Sequence, residues 1–264
     1  MTGVDLALSA RGVRMEYRDR SSDARLVAIE AMDLDVGEGE FVSLLGPSGC
    51  GKSTFLKIVN GLLKATAGEI RLRRNAKGRE DAMVFQDAAL FPWYSVLDNV
   101  AYGLVCAGVS NVEARKRAAP LVELVGLHGF ESKYPYQLSG GMQQRANLAR
   151  ALAVDATILL MDEPFASLDA QTREVMQAEL LRIWHAAEKT VVFVTHQIEE
   201  AVYLSDRVVV MSARPGRILA DIRIDLPRPR ALEVKRSVEF ASYSDQIWKL
   251  LATQRAVGSA LQEA

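Results

Sequence analysis

Residues 46–54 read Gly46-Pro47-Ser48-Gly49-Cys50-Gly51-Lys52-Ser53-Thr54 and fit the pattern G-x-x-x-x-G-K-[ST]. No other stretch restricts the fold as tightly, because this pattern needs a strand before it and a helix after it. Both are present. Phe41-Val42-Ser43-Leu44-Leu45 is an apolar run that predicts a strand, and Phe55-Leu56-Lys57-Ile58-Val59-Asn60 predicts the start of a helix. Glycines let backbone N–H groups surround a polyphosphate without Cβ clashes. The helix that follows starts with unpaired N–H groups and a partial positive charge, so it attracts anions. Lys52 is placed to reach the phosphates as a point charge, and the Ser53 hydroxyl to bind Mg²⁺.

The rest of the chain is consistent with a soluble α/β protein. Its 264 residues suffice for one large or two modest domains. Hydrophobic residues make up 49% and charged residues 25%, and the net charge of −1 gives no basic surface for nucleic acid. Two cysteines, Cys50 and Cys106, do not make a disulfide framework and suit a reducing cytosol. No apolar run approaches the roughly 18 residues that span a bilayer. The start Met1-Thr2-Gly3-Val4-Asp5 lacks the pattern of a secretory signal. A role at a membrane therefore requires a partner.

Residues 1–45 alternate as strands do, with turn signals at residues 18–23 and 37–40. Short strands are expected around residues 68–72 and 82–85, separated by a polar, basic, solvated loop at residues 73–81. Residues 97–153 read as largely helical, most clearly at residues 112–125, and a further helix is expected over residues 171–187. Leu159-Leu160-Met161, residues 191–195 and residues 207–211 are apolar runs of a buried parallel sheet. Strands alternating with helices predict an α/β layered fold. The segment from about Leu232 is expected to be helical.

Four further motifs follow the loop in a set order. Leu138-Ser139-Gly140-Gly141-Met142-Gln143-Gln144-Arg145 places a hydroxyl and two glycines at a helix start, a second anion site of the same physics. Taken alone, it also reads as a turn with an N-cap serine. Ile158-Leu159-Leu160-Met161-Asp162-Glu163-Pro164 ends an apolar strand in two carboxylates, at the edge where open α/β sheets place ligands. Asp162 suits the Mg²⁺ shell and Glu163 is placed to orient or deprotonate a water. Ser167-Leu168-Asp169 comes next, and His196 follows the strand at residues 191–195. His128 and His185 have no such company and read as surface residues. Cys50, beside Lys52 near a helix start, is expected to be a reactive thiol.

Together these residues resemble the ATP-binding-cassette (ABC) ATPases over about residues 4–225. The resemblance implies a P-loop fold with a RecA-like core, an antiparallel β subdomain and an α-helical subdomain at about residues 87–154. That ATPase domain would cover residues 1–230, followed by a C-terminal helical extension at 231–264. It implies ATP and Mg²⁺ as ligands, with Gln86 and His196 contacting the metal, the attacking water or the γ-phosphate, and Tyr17 stacking on adenine. Lys52 and Glu163 complete the implied catalytic set, and Asp169 joins the ATP-binding one. It further implies a head-to-tail pair in which Ser139, Gly140 and Gly141 of a second copy complete the site.

The segment Leu90-Phe91-Pro92-Trp93 with Val96-Leu97-Asp98-Asn99-Val100 is similar to the nitrate/sulfonate/taurine importer group. So is Ser212-Ala213-Arg214-Pro215-Gly216-Arg217-Ile218, with Asp225-Leu226-Pro227-Arg228-Pro229-Arg230. This implies a peripheral subunit on the cytoplasmic face of the plasma membrane, working with integral permease subunits and, indirectly, a secreted solute-binding protein. Residues 71–81 depart from the group by lacking its Gly-Pro turn. Another ABC transporter group, or a soluble non-transport cassette, stays open at this level. The solute is not written in the sequence.

Overall fold

The computed structural model describes residues 5–18, 25–73, 81–166, 168–187 and 189–260. The expected Met1–Val4 start, part of the first turn, most of the basic loop at 73–81, Ser167 and the last four residues lie outside them. In chain order the elements begin β1 (Leu6–Arg18), β2 (Arg25–Gly37), β3 (Phe41–Leu45), α1 (Lys52–Val59), β4 (Ala67–Leu72) and β5 (Asp81–Val84). They continue α2 (Val96–Cys106), α3 (Asn111–Leu124), a 3₁₀ turn at Pro135–Gln137, α4 (Gly140–Ala153), β6 (Ile158–Asp162) and α5 (Ala170–Ala187). The remainder is β7 (Thr190–Thr195), α6 (Ile198–Leu204), β8 (Arg207–Met211), β9 (Ile218–Arg223), a 3₁₀ turn at Leu232–Arg236 and α7 (Val238–Ala260).

Two compact units share the chain: Met1–Arg73 with Thr190–Ala264, and Arg74–Lys189. In the first, β2, β1 and β4 form an antiparallel sheet. A second sheet runs β7-β3-β8-β9, parallel except for the antiparallel edge strand β9. Every residue of β3 and β7 is buried, as expected for parallel strands covered on both faces. Phe41 and Phe193, on these neighbouring strands, bring their rings to 5.8 Å between centroids, within the range of favourable aromatic pairs.

In the second unit β5 and β6 pair in parallel, Ala82 opposite Leu159 and Val84 opposite Met161. Three helices, α2 to α4, follow the pattern read from the sequence. Ser95 caps α2 by accepting from Asp98 N, and Ser110 caps α3 by accepting from Glu113 N, which fixes where each begins. α3 carries Pro120 in its interior, yet keeps Ala114, Ala118 and Val122 buried along one stripe.

Two expectations shift in detail. The helix after the loop starts at Lys52 rather than Phe55, since the loop's last residues already have helical geometry. The C-terminal segment is interrupted: Ser237 is extended (φ −76°, ψ 155°) and separates the 3₁₀ turn from α7. β9 was not anticipated, because its first three residues, Ile218-Leu219-Ala220, are all apolar and hide the alternating burial of this edge strand.

Candidate nucleotide site

In the first unit, Leu45 of β3 pairs with Thr195 of β7 in parallel register. Gly46 and His196 therefore leave the same sheet edge, the carboxyl edge where open α/β sheets receive ligands. Residues 46–51 turn the chain into α1, whose N-cap Gly51 sits at φ 99°, ψ 5° with no side-chain cap. A Cβ there would meet Ile29 Cγ1 at 2.8 Å and Ala28 O at 3.0 Å, in a backbone region that disfavours L side chains anyway. An uncapped helix start at such a turn presents its N–H groups to an anion.

Lys52 is buried, at 4% exposure, and its Nζ donates to Gly46 O at 2.8 Å and Pro47 O at 2.9 Å. Its ammonium thus lies inside the curve of the loop, hydrogen-bonded to loop carbonyls. Ser53 and Thr54 are half-buried, Pro47 is half-buried, and Ser48 and Gly49 are exposed. Cys50 corrects the expectation of a reactive thiol. Its side chain is fully buried, with Sγ 3.7 Å from Lys52 Nζ, so a reagent reaches it only if the loop opens. Cys50 faces the protein core, which leaves its backbone to line the loop.

The back of the loop rests on residues 211–217. Gly216 N donates to Ala28 O at 2.9 Å and Glu30 N to Gly216 O at 3.1 Å, tying this turn to β2. A Cβ on Gly216 would lie 2.1 Å from Cys50 O, so only glycine permits the approach. Ser212 holds the turn closed: its Oγ donates to Pro215 O at 2.8 Å and accepts from Arg217 N at 3.0 Å. Arg214 is exposed and donates from Nε to Gly49 O at 3.2 Å.

His196 is exposed. The turn that presents it is shaped by the buried Thr195 hydroxyl, which accepts from Gln197 N at 3.0 Å and donates to the buried Glu200 carboxylate. The far end of α6 is closed by two arginines. Arg230, 7% exposed, donates to the carbonyls of Val202, Tyr203, Ser205, Ile224 and Leu226. Burial pushes its pKa down to about 10, which still leaves it charged at neutral pH. Arg228 donates to Leu204 O and Asp206 Oδ1, both at 2.7 Å. Tyr17, near the end of β1, is partly exposed and pairs with Leu26 on β2.

In the second unit, the parallel pair β5 and β6 does for Gln86 and Asp162 what β3 and β7 do for Gly46 and His196. Val84 lies opposite Met161, so the exposed Gln86 and the buried Asp162 leave the same edge. Glu163 follows with φ 45°, a left-handed conformation that non-glycine residues seldom adopt and that tends to occur at working sites. Gln144 of α4 donates from Nε2 to Phe85 O at 3.4 Å, holding the residue before Gln86.

Ser139 is the N-cap of α4, and its Oγ accepts from Met142 N at 3.3 Å. A Cβ on Gly140 would meet nothing within 4 Å, so this helix end is open on that side. It borders a cleft of about 700 Å³ lined by Ser139, Gly141, Arg145, Thr172 and Glu179 among others. Asp169 caps the start of α5: Oδ1 accepts from Thr172 N at 3.0 Å and Oδ2 from Thr172 Oγ1 at 2.6 Å. These bonds hold its pKa below the usual carboxylate range.

Each unit therefore gathers its own share of the residues singled out in the sequence. The loop and His196 share one strand edge; Gln86, Asp162 and Glu163 share another. Residues 139–141 stand at a separate helix start. Sequence reading did not give roles to Arg150, Asn99 and Arg214. Asn99, fully buried, accepts from Phe91 N at 2.8 Å and donates to the carbonyls of Phe91, Tyr94 and Ser95. Arg150 donates to Ala88 O and Ala89 O and lies over the Phe91 ring at 5.7 Å. Only the Leu-Phe-Pro-Trp pattern hinted that this stretch is organised.

Residues 29–166 match the family model described as ABC transporter. An uncharacterized ABC transporter ATP-binding protein, MJ0412 of Methanocaldococcus jannaschii, is 51% identical over 86% of this chain and 85% of its own length. The taurine import ATP-binding protein TauB of Rhizobium johnstonii is 46% identical over 88% of this chain and 92% of its own. The nitrate import ATP-binding protein NrtD of Synechocystis sp. is 43% identical over 86% of this chain and 88% of its own. Among solved structures, the dimeric post-hydrolysis state of the cassette MJ0796 bound to ADP and Pi superposes with a TM-score of 0.72 at 32% identity. That superposition covers 83% of this chain and 100% of the other.

Proposed function

The chain belongs to the ABC transporter family of ATP-binding proteins, and from that premise we propose that it is the ATP-hydrolysing subunit of an importer of the nitrate, sulfonate and taurine type. The observation that carries the ATP reading is the start of α1: an uncapped helix end behind a left-handed Gly51, with the Lys52 ammonium inside the loop. The TauB and NrtD relatives support the importer group.

In this reading residues 46–54 take the phosphates, with Lys52 turning from the Gly46 and Pro47 carbonyls to phosphate oxygens. Glu163 accepts a proton from the water as that water's oxygen attacks the γ-phosphorus, and the bond to ADP breaks. His196 and Gln86 orient the γ-phosphate and the water, and Tyr17 stacks on adenine. The hydroxyl of Ser53, the amide oxygen of Gln86 and the carboxylate of Asp162 are hard oxygen donors suited to Mg²⁺. Bound there, Mg²⁺ would neutralise phosphate charge.

A second copy supplies Ser139, Gly140 and Gly141 to the far side of the nucleotide, and Asp169 joins the ATP-binding set. ATP then favours the closed pair by its differential affinity for it. The dimeric MJ0796 cassette, with ADP and Pi bound, supports this arrangement.

The surface that would meet a permease lies in the Arg74–Lys189 unit. Phe91, Tyr94 and Tyr102 form an aromatic cluster with centroids 4.6 to 5.9 Å apart, beside a Trp93 that is 67% exposed. A mostly apolar groove of about 390 Å³ runs past Phe91, Tyr102 and Arg150. Such a surface suits an amphipathic helix from a membrane partner. The protein would then sit on the cytoplasmic face of the plasma membrane, with the solute captured by a secreted binding protein. Nitrate, sulfonates, taurine, cyanate and pyrimidine precursors fit this group equally.

The test is hydrolysis of Mg-ATP by the purified protein and its Glu163→Gln variant. The variant should bind ATP as the wild type does and lose at least about 100-fold in steady-state phosphate release. Turnover near the wild-type rate would remove Glu163 from the mechanism. Failure of the wild type to bind ATP would remove the reading itself. Co-purification with a polytopic membrane protein tests the transport assignment.

A further inference from the structure

The geometry points to Arg214 as a positioning residue of the ATP site, acting through the peptide that joins Gly49 to Cys50. This rests on the ATP-binding reading of residues 46–54. Both ends of that peptide are held. Its carbonyl, Gly49 O, accepts from Arg214 Nε at 3.2 Å. Its N–H, on Cys50, donates to Pro47 O at 3.4 Å. Pro47 O also accepts from Lys52 Nζ at 2.9 Å. A short relay therefore runs from the Arg214 guanidinium, through one peptide unit and one shared carbonyl, to the lysine that serves the phosphates.

Gly49 makes this peptide easy to turn, because its φ of 77° lies where glycine moves freely and other residues do not. Without a donor on its carbonyl, rotation of the peptide would redirect Cys50 N–H and release Pro47 O from one of its two donors. The loop's N–H groups bind phosphate well only if they are already aimed, so this freedom lowers affinity.

Arg214 is itself well anchored. It stands in the turn closed by Ser212 Oγ, which bonds Pro215 O at 2.8 Å and Arg217 N at 3.0 Å. The same turn is fixed to β2 through Gly216 and Ala28 at 2.9 Å. The neighbouring Arg217 is committed elsewhere, in an ion pair with Glu30. Arg214 alone of the two reaches the loop. Lysine is no equivalent, since it has no N–H at the Nε position of the planar guanidinium.

The experiment measures steady-state Mg-ATP hydrolysis and nucleotide affinity for wild type, Arg214→Ala and Arg214→Lys. Arg214→Ala should raise the KM and Kd for ATP about five- to tenfold, the scale of one charge-assisted hydrogen bond, with kcat within about twofold. Arg214→Lys should recover only a minor part of the affinity. The nucleotide-free melting temperature should be unchanged in both, because the bond is exposed. A KM and Kd for Arg214→Ala equal to wild type overturns the proposal, as does full rescue by lysine or a loss confined to kcat. Wild-type protein that binds no ATP overturns instead the reading on which it rests.

Discussion

The starts of α1 and α4 are made of the same ingredients, glycines and a hydroxyl residue, and they differ in how their N–H groups are satisfied. At α4 the Ser139 hydroxyl accepts from Met142 N, so the helix caps itself. At α1 the N-cap is Gly51, which has no side chain to offer, and the Lys52 ammonium lies buried inside the curve of the loop. A self-capped helix binds an anion only by sharing or giving up its cap. An uncapped one has no capping side chain to displace when an anion arrives. The first therefore suits a surface that meets phosphate intermittently, and the second a surface that holds it.

The sharpest way to break this comparison is Lys52→Ala. If α1 is the holding end, Mg-ATP affinity should fall about 100-fold by equilibrium titration, the loss expected for strong charge-assisted contacts. A loss of less than about threefold would put the two helix ends on an equal footing. Gly51→Ala comes next. It imposes a left-handed alanine and a 2.8 Å contact with Ile29, so about 1–3 kcal/mol of strain should appear as a lower melting temperature and weaker ATP binding.

Ser139→Ala separates the ends by kinetics. Loss of the cap should cost about 1 kcal/mol of stability. ATP affinity at low protein concentration should be unchanged, while hydrolysis falls at concentrations where copies pair. Reduced affinity in dilute protein would place Ser139 on its own chain's nucleotide.

The smallest effect concerns Asp169. Its folded pKa lies below the ordinary value, so its contribution to stability is present above the ordinary carboxylate range and disappears as pH falls through the lowered value. The stability gap between wild type and Asp169→Asn should accordingly be steady near neutrality and close in acid, as read by thermal melts across pH. A gap independent of pH would assign the effect to shape rather than charge.

The strands of the buried sheet were legible because they are unbroken apolar runs, as in Val191-Val192-Phe193-Val194-Thr195. Among helix starts, the cap at Ser139 was legible from the glycines that follow it, whereas the caps at Ser95 and Ser110 came only with the fold. Loop chemistry was legible because glycine and lysine at fixed spacing leave few alternatives. What remained hidden depends on residues distant in sequence. Cys50 looked available from its neighbours, and only its complete burial in the folded protein shows that it is covered. Arg230 reads as one more charge in a proline-rich tail until five carbonyls are found around it. β9 escaped because Leu219 occupies an exposed position of the strand, which breaks the apolar–polar alternation that would announce it.

The turn behind the loop also bears on where the molecule can be divided. The segment that matches the family model, residues 29–166, holds every residue of the phosphate motif but stops well short of residues 211–217. A fragment excised at those limits would lose β7 and β8 from the two sides of β3, expose Cys50 O where Gly216 now stands, and free Gly49 from Arg214. Such a piece would inherit the letters of the motif without the floor that gives them a shape, so any minimal nucleotide-binding version of this chain must be carried through Arg217.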